Sequence, residues 1–175
     1  MISITKENIV ECEVDAIVNA ANSLLSGGGG VDGAIHMAAG NELYEACAKI
    51  GRCGVGKAVI TPGFNLKAKY IIHTVGPFYS EFEKKECAKA LESCYISCLE
   101  LAKENDIHSI AFPCISSGVY GYPIQESSVI AFNTVKKWLE DNEDYEIDVH
   151  LICYTDREYD AYENVVNSQE EAEEA

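Results

Sequence analysis

The sequence predicts an α/β layer fold with helices on both faces of one sheet. Short β-branched runs alternate with longer segments of helical period, as such layer folds require. Most of the short runs are nearly all apolar, which suits central strands covered on both sides. At 175 residues the chain matches a single hydrophobic core, and it carries no internal repeat, low-complexity linker or second domain.

The opening Met1-Ile2-Ser3-Ile4-Thr5-Lys6 lacks the basic-then-apolar pattern of a secretory signal and reads as a first strand, Ile2 to Thr5, so a cytoplasmic location is expected. Further strands are expected at Ala16 to Asn19, Ala58 to Pro62, Tyr70 to Val75, Ser109 to Pro113 and Ile147 to Tyr154. Helices are expected at Asp32 to Ala39, Asn41 to Ile50, Lys84 to Asn105, Pro123 to Glu140 and Asp156 to Val166. In the longest of these, Ala88, Leu91, Cys94, Tyr95, Cys98, Leu99 and Ala102 recur at three- and four-residue steps and define one buried stripe. Glu81 to Glu86 is a solvated lead-in to that helix, and Asn142 to Glu146 is a polar loop. The folded domain is expected over residues 1–167, with 168–175 an acidic, disordered tail.

Composition excludes several functions. A hydrophobic share of 47% and a charged share of 24% are those of an ordinary soluble protein, and no run is long enough to span a bilayer. The eight cysteines are scattered without a CxxC pair, so free, mostly buried thiols in a reducing compartment are expected. Cys94 and Cys98 share a helix face, but two thiols do not make a structural metal site; no metal and no cofactor are expected. A formal net charge of −16 repels polyanions at long range, which argues against non-specific nucleic-acid binding. A phosphate site in this chain must rely on backbone N–H groups and helix N-termini, which act over a few ångströms.

Two segments carry the chemistry. In the first, an apolar strand ending Val18-Asn19-Ala20-Ala21-Asn22 passes through Gly27, Gly28, Gly29 and Gly30 into a helix beginning near Val31 and Asp32. Four successive glycines lose much backbone entropy on ordering, so they suit either a floppy surface loop or a backbone that must approach a ligand closely. Asn19 and Asn22 lie at the carboxyl end of a strand, where open α/β sheets place ligands, and both can hydrogen-bond sugar hydroxyls. Asp32 can serve as an N-cap, or as a carboxylate orienting a water or a ribose hydroxyl. In the second segment, Phe112-Pro113-Cys114-Ile115 runs into Ser116, Ser117, Gly118, Val119, Tyr120 and Gly121 before another helix, a plausible second phosphate cradle. Two such loops suggest a diphosphate held between them. Neither fits the Walker A or dinucleotide-fold pattern.

Taken together the segments resemble the macrodomain family, most closely its branch of O-acetyl-ADP-ribose deacetylases and mono-ADP-ribosyl hydrolases. The likeness runs from about Ile9 to Glu163 and includes Ala34-Ile35-His36, Gly56-Lys57-Ala58-Val59-Ile60-Thr61 and Ala68-Lys69-Tyr70-Ile71-Ile72-His73-Thr74-Val75-Gly76-Pro77. The resemblance implies a three-layer α/β/α macrodomain with a mixed, mostly parallel sheet of about six strands, and a cleft for ADP-ribose at the strand ends. By matching position, Gly28, Gly29, Gly30 and Val31 with Ser116, Ser117, Gly118, Val119 and Tyr120 would wrap the diphosphate and distal ribose. Asn22 would hydrogen-bond that ribose, and Asp32 would position or activate the attacking water, work the substrate's own phosphate can share. Ile9 and Tyr154 would lie near the adenine, although Tyr154 read without the family suits core equally well. His36 and His73 read as structural.

The chain departs from the family in three places. Glu7-Asn8-Ile9 stands where Gly-Asp-Ile is usual, so Asn8 meets the adenine amino group without the charge that roughly doubles such a bond. Met37 replaces a frequent basic residue, and Ser117 a frequent Thr. The expected activity is hydrolysis of an ester at the distal ribose, on O-acetyl-ADP-ribose or on mono-ADP-ribosylated proteins modified at Asp or Glu. The rival is a reader module that binds ADP-ribose without turnover, and Asp32 favours the hydrolase because a reader has no need of a carboxylate there.

Overall fold

The computed structural model describes residues 1–174. Its six strands are β1 (Ile2–Lys6), β2 (Ala16–Ala20), β3 (Ala58–Pro62), β4 (Tyr70–Thr74), β5 (Ser109–Phe112) and β6 (Asp148–Cys153). The helices are α1 (Gly30–Ala39), α2 (Asn41–Ile50), α3 (Lys84–Glu104), α4 (Ile124–Asp141) and α5 (Asp156–Glu174), with single 3-10 turns at Ile9–Glu11 and Glu81–Glu83. The sheet order is β1-β6-β5-β2-β4-β3, parallel throughout except for β3, which runs antiparallel to β4 at one edge.

Strand alternation divides the core in two. Ala16 and Val18 of β2 pack with the stripe of α3, including Leu91, Tyr95 and Leu99, and with Val135 of α4 and Tyr162 of α5. Ile17, between them, faces the opposite layer, where Ile35 of α1 and Leu43 and Cys47 of α2 close over Ile71 and Ala111. The result is the three-layer α/β/α arrangement with a mixed sheet.

The topology locates a crevice. After β2 the chain moves through α1 and α2 to the β3 and β4 side, whereas after β5 it moves through α4 to the β6 side. Neighbouring parallel strands whose onward connections diverge leave a gap at their carboxyl ends, where α/β sheets bind ligands. Here the gap is widened by register. The β2–β5 ladder stops after Ile17↔Ala111, while β2 stays paired with β4 as far as Ala20↔Thr74.

The disordered tail expected at 168–175 requires correction over the described residues. Helix α5 continues to Glu174, because Gln, Glu and Ala are good helix formers and its last turns are held against α4. Gln169 Nε2 donates to Asn133 Oδ1 at 3.0 Å, and Lys136 pairs with Glu173 at 3.4 Å. The expectation for Ala175 lies outside the described residues. The helix also starts on a capping box: Thr155 Oγ1 accepts from the Glu158 amide at 3.2 Å, and Glu158 Oε1 accepts from the Thr155 amide at 3.0 Å.

Leu91 is fully buried between α3 and the sheet. Leu91→Ala should lower the unfolding free energy by about 2–5 kcal/mol in urea titrations. A loss below about 1 kcal/mol would show that the α3 face is not the close-packed core described.

Candidate functional site

The crevice opens at the carboxyl ends of β2 and β5, and β2 supplies its buried polar groups. Asn19, on the α1 face of β2, is completely buried. Its Nδ2 donates to Asp32 Oδ1 at 2.8 Å and lies 3.1 Å from His73 Nδ1 on the adjacent strand β4. The two hydrogens of one amide nitrogen thus serve both neighbours, so His73 Nδ1 must be an acceptor. Its Nε2–H then donates to Thr61 Oγ1 at 3.0 Å, and that hydroxyl passes its own hydrogen to the Pro62 carbonyl at 3.1 Å. Every donor in this buried relay has an acceptor only if His73 is neutral. Burial, with His36 nearby as the smaller cause, accordingly pushes the imidazole down to about 4.

The relay fixes the Asp32 carboxylate. Asp32 is 7% exposed in the first turn of α1, and His36 Nε2, one turn on, lies 3.3 Å from the same Oδ1 that Asn19 holds. The other oxygen, Oδ2, faces the glycine turn: a Cβ at Gly28 would lie 3.7 Å from it. Asn19 Oδ1 and His36 Nδ1 are buried without partners, and for Asn19 the reason is electrostatic. Flipping its amide would set an oxygen against the Asp32 carboxylate and the His73 lone pair.

The glycine turn is folded by Asn22. Its Oδ1 accepts from the amides of Leu24 and Ser26 at 3.2 and 3.1 Å, and its Nδ2 donates to the Gly27 carbonyl at 2.9 Å. Leu25, at a φ of +55°, is buried in the α1 layer and anchors the loop. At the other end a side chain on Gly33 would collide with the Gly28 carbonyl oxygen. Among the described residues the amides of Gly28 and Gly29 have no internal acceptor, and those of Gly30 and Val31 belong to the first turn of α1, whose N–H groups have no intrahelical partner. They form a concavity suited to anionic oxygens at the positive end of a helix dipole.

The loop after β5 is the second wall. Ser116 adopts a φ of +66° and its hydroxyl donates to the Pro77 carbonyl at 2.9 Å, while Ser117 Oγ donates to the Cys114 carbonyl at 3.1 Å. Turn bonds from Gly121 to Gly118 and from Tyr122 to Ser116 close the loop. The amides of Ser117, Gly118, Val119 and Tyr120 have no internal acceptor among the described residues. The loop leans on the segment after β4: the Tyr79 amide donates to the Tyr120 carbonyl at 2.8 Å, and Phe78 stacks on Tyr120 with ring centroids 3.8 Å apart.

Residues 18–131, spanning both loops and the strands that carry them, match the family described as Macro domain. The chain belongs to the macrodomain family. Over 96% of its length it is 49% identical to a macro domain-containing protein of Listeria monocytogenes, covering 98% of that protein. It is 47% identical to the human ADP-ribose glycohydrolase MACROD2 over 95% of the chain, which spans only 39% of that longer protein. A solved macrodomain of Oceanobacillus iheyensis with ADP superposes with a TM-score of 0.91 at 40% identity, covering 97% of this chain and 91% of that one.

Several of this macrodomain's expected site residues have other work than the sequence suggested. Asn19 is sealed beneath the site and holds Asp32, because β2 turns it into the α1 layer, so it is not a contact for a ligand. Asp32 is not the N-cap of α1; Gly29 holds that position. The hydroxyls of Ser116 and Ser117 shape their loop and leave its amides without internal acceptors among the described residues. Asn22 has its oxygen committed to the turn and keeps one N–H.

On the far side of the crevice Asn8 is exposed, its Oδ1 accepting from the Val10 amide at 3.2 Å as the cap of a 3-10 turn, and Ile9 is buried. The Glu7 amide donates to the Cys153 carbonyl, which sets Asn8 beside Tyr154. Tyr154 is 75% exposed, so the core reading of it fails. Thr61, matched to the family only as part of residues 56–61, and Phe78 have roles here that the sequence did not assign. An aromatic pair directly after a Gly-Pro at a strand end, Phe78-Tyr79, is the signal that could have found Phe78. Among the described residues no group of three or more His, Cys, Asp or Glu side chains is placed to hold a metal ion.

Because His73 takes up a proton near pH 6.5 when unfolded but near 4 when folded, the unfolded state binds more protons between those values and stability falls as the pH drops through them. The loss should approach about 2 kcal/mol at pH 5 relative to pH 7.5, read from urea midpoints, and His73→Gln should remove most of that slope. An equal slope in the variant would place the acid sensitivity elsewhere.

Proposed function

We propose that this macrodomain binds ADP-ribose in the crevice between β2 and β5 and hydrolyses esters at the distal ribose. The observation that carries the reading is the Asp32 carboxylate, one oxygen tied back by Asn19 and the other turned to the glycine loop. The name of the human relative, ADP-ribose glycohydrolase, and the ADP held by the Oceanobacillus iheyensis macrodomain support it.

In this reading the diphosphate lies between the amides of Gly28 to Val31 and those of Ser117 to Tyr120. These sites are short-ranged, so they work despite the net charge of −16. Asn22 gives its remaining N–H to the distal ribose, and Tyr120, backed by Phe78, closes over that sugar. The adenine lies toward Ile9 and Tyr154, with Asn8 offering a neutral amide to its edge. Asp32 Oδ2 orients a water and takes its proton as the water oxygen bonds to the ester carbonyl carbon. The bond from that carbon to the ribose oxygen then breaks and the proton returns to the ribose, leaving ADP-ribose and a free carboxylate.

The substrates are O-acetyl-ADP-ribose and proteins mono-ADP-ribosylated on Asp or Glu. The compartment is the cytoplasm, in keeping with eight free cysteines. No helix among the described residues is long and apolar enough to cross a membrane.

Incubating the protein with O-acetyl-ADP-ribose and with a mono-ADP-ribosylated protein, and following release of ADP-ribose, tests the activity. Asp32→Asn keeps an oxygen for the Asn19 amide, so the fold should hold while turnover falls by about a hundredfold or more and ADP-ribose affinity by calorimetry stays within a few fold. Undiminished turnover would remove Asp32 from the chemistry, and binding without turnover of either ester by the unaltered protein would make it a reader. Asn8→Asp should tighten ADP-ribose binding by several fold, since a charged acceptor is about twice as strong as a neutral one. Unchanged affinity would mean that Asn8 does not meet the adenine.

A further inference from the structure

A run of four glycines has almost no side-chain packing of its own, so its ordered shape must be imposed by what surrounds it. The Gly27 carbonyl is held by Asn22. The Gly27 Cα is met by Tyr44 of α2. Gly27 has a φ of +79°, and a Cβ there would come within 2.9 Å of Tyr44 Cε1 and 3.3 Å of its hydroxyl oxygen. The same ring packs on His36, with centroids 4.3 Å apart, and His36 Nε2 lies 3.3 Å from Asp32 Oδ1. One half-exposed side chain therefore touches both the turn that bears the free amides and the histidine beside the carboxylate.

Open space adjoins the ring and the glycines that follow Gly27. A cavity of about 510 Å³ is lined by Tyr44 together with Gly28, Gly30, Met37 and Asn41. Without the ring, that side of the turn would face solvent and could shift outward. The ring matters here rather than the hydroxyl, which makes no hydrogen bond among the described residues.

We propose that Tyr44 is a positioning residue for the glycine turn, its ring backing Gly27 and bracing His36 so that the amides and the Asp32 carboxylate are ordered before the ligand arrives. The proposal rests on the reading that this turn holds ADP-ribose. Ordering a loop on binding weakens affinity, and a wall that orders it beforehand removes that loss.

The test is a double-mutant cycle on the full chain, with ADP-ribose affinity by calorimetry, kcat and KM for ester hydrolysis, and thermal unfolding followed together. Tyr44→Ala should raise the ADP-ribose Kd by about tenfold, mostly through KM rather than kcat, and Tyr44→Phe should restore it to within about twofold. Tyr44→Leu, which keeps apolar bulk without the flat ring, covers the case in which the alanine variant fails to fold and should raise Kd by an intermediate amount. Gly27→Ala should weaken binding at least about threefold less in the Tyr44→Leu or Tyr44→Ala background than in the unaltered protein, because the added methyl no longer meets the ring. Wild-type affinity in both Tyr44→Ala and Tyr44→Leu, or strict additivity with Gly27→Ala, would overturn the proposal. An unaltered protein that takes up no ADP-ribose would overturn the underlying reading and this proposal with it.

Discussion

The bond from the Asn19 amide to Asp32 Oδ1 ties the catalytic candidate to the central sheet. Asn19 is paired with β4 just beyond the end of the β2–β5 ladder, and its nitrogen is further fixed by His73 on that same strand. A carboxylate in the first turn of a glycine-started helix would otherwise swing with that helix. Anchored to the sheet, it can keep one oxygen occupied and the other directed at the turn. The arrangement has a price in two buried atoms without partners, Asn19 Oδ1 and His36 Nδ1, each of the kind that destabilises by about 1–3 kcal/mol.

The second constraint is electrostatic. With 29 acidic against 13 basic residues, an attractive long-range field for a diphosphate is absent. In the proposed reading, recognition is left to main-chain amides from two loops at the parting of β2 and β5. Such groups are indifferent to the surface charge a Debye length away and are most effective when they are already aligned. Loop-shaping contacts matter for that reading: Asn22 on the Gly27 carbonyl, Ser116 on the Pro77 carbonyl and Tyr79 on the Tyr120 carbonyl all use polar groups to set the loop geometry.

The sequence disclosed the fold well because its signals were local and periodic. Short β-branched runs, most of them nearly all apolar, marked all six strands, and the three- and four-residue spacing from Ala88 to Ala102 marked the buried face of α3. It disclosed the two loops for the same reason, since glycines and hydroxyls directly after a buried strand stand out in any reading. The tail was misread because high charge argues for solvent exposure but not against helix: Gln169 and Glu173 find partners on α4 that only the packing of α4 against α5 provides.

Pair relations across the sheet were the part that could not be read. Nothing in the order of residues says that Asn19 faces α1 and reaches Asp32, or that His73 and Thr61 complete the relay from two further strands. Those facts follow from register, and a one-residue shift of β2 would send Asn19 to the opposite layer. The hydroxyls of Ser116 and Ser117 illustrate the same limit from the other side. Their residue type suggested phosphate contact, yet a φ of +66° at Ser116 turns its hydroxyl inward to Pro77, and the loop presents backbone where the sequence showed side chains. A macrodomain of this kind is thus specified twice, once by the residue types that build the loops and once by the strand register that decides which polar atoms of those residues are left facing the ligand.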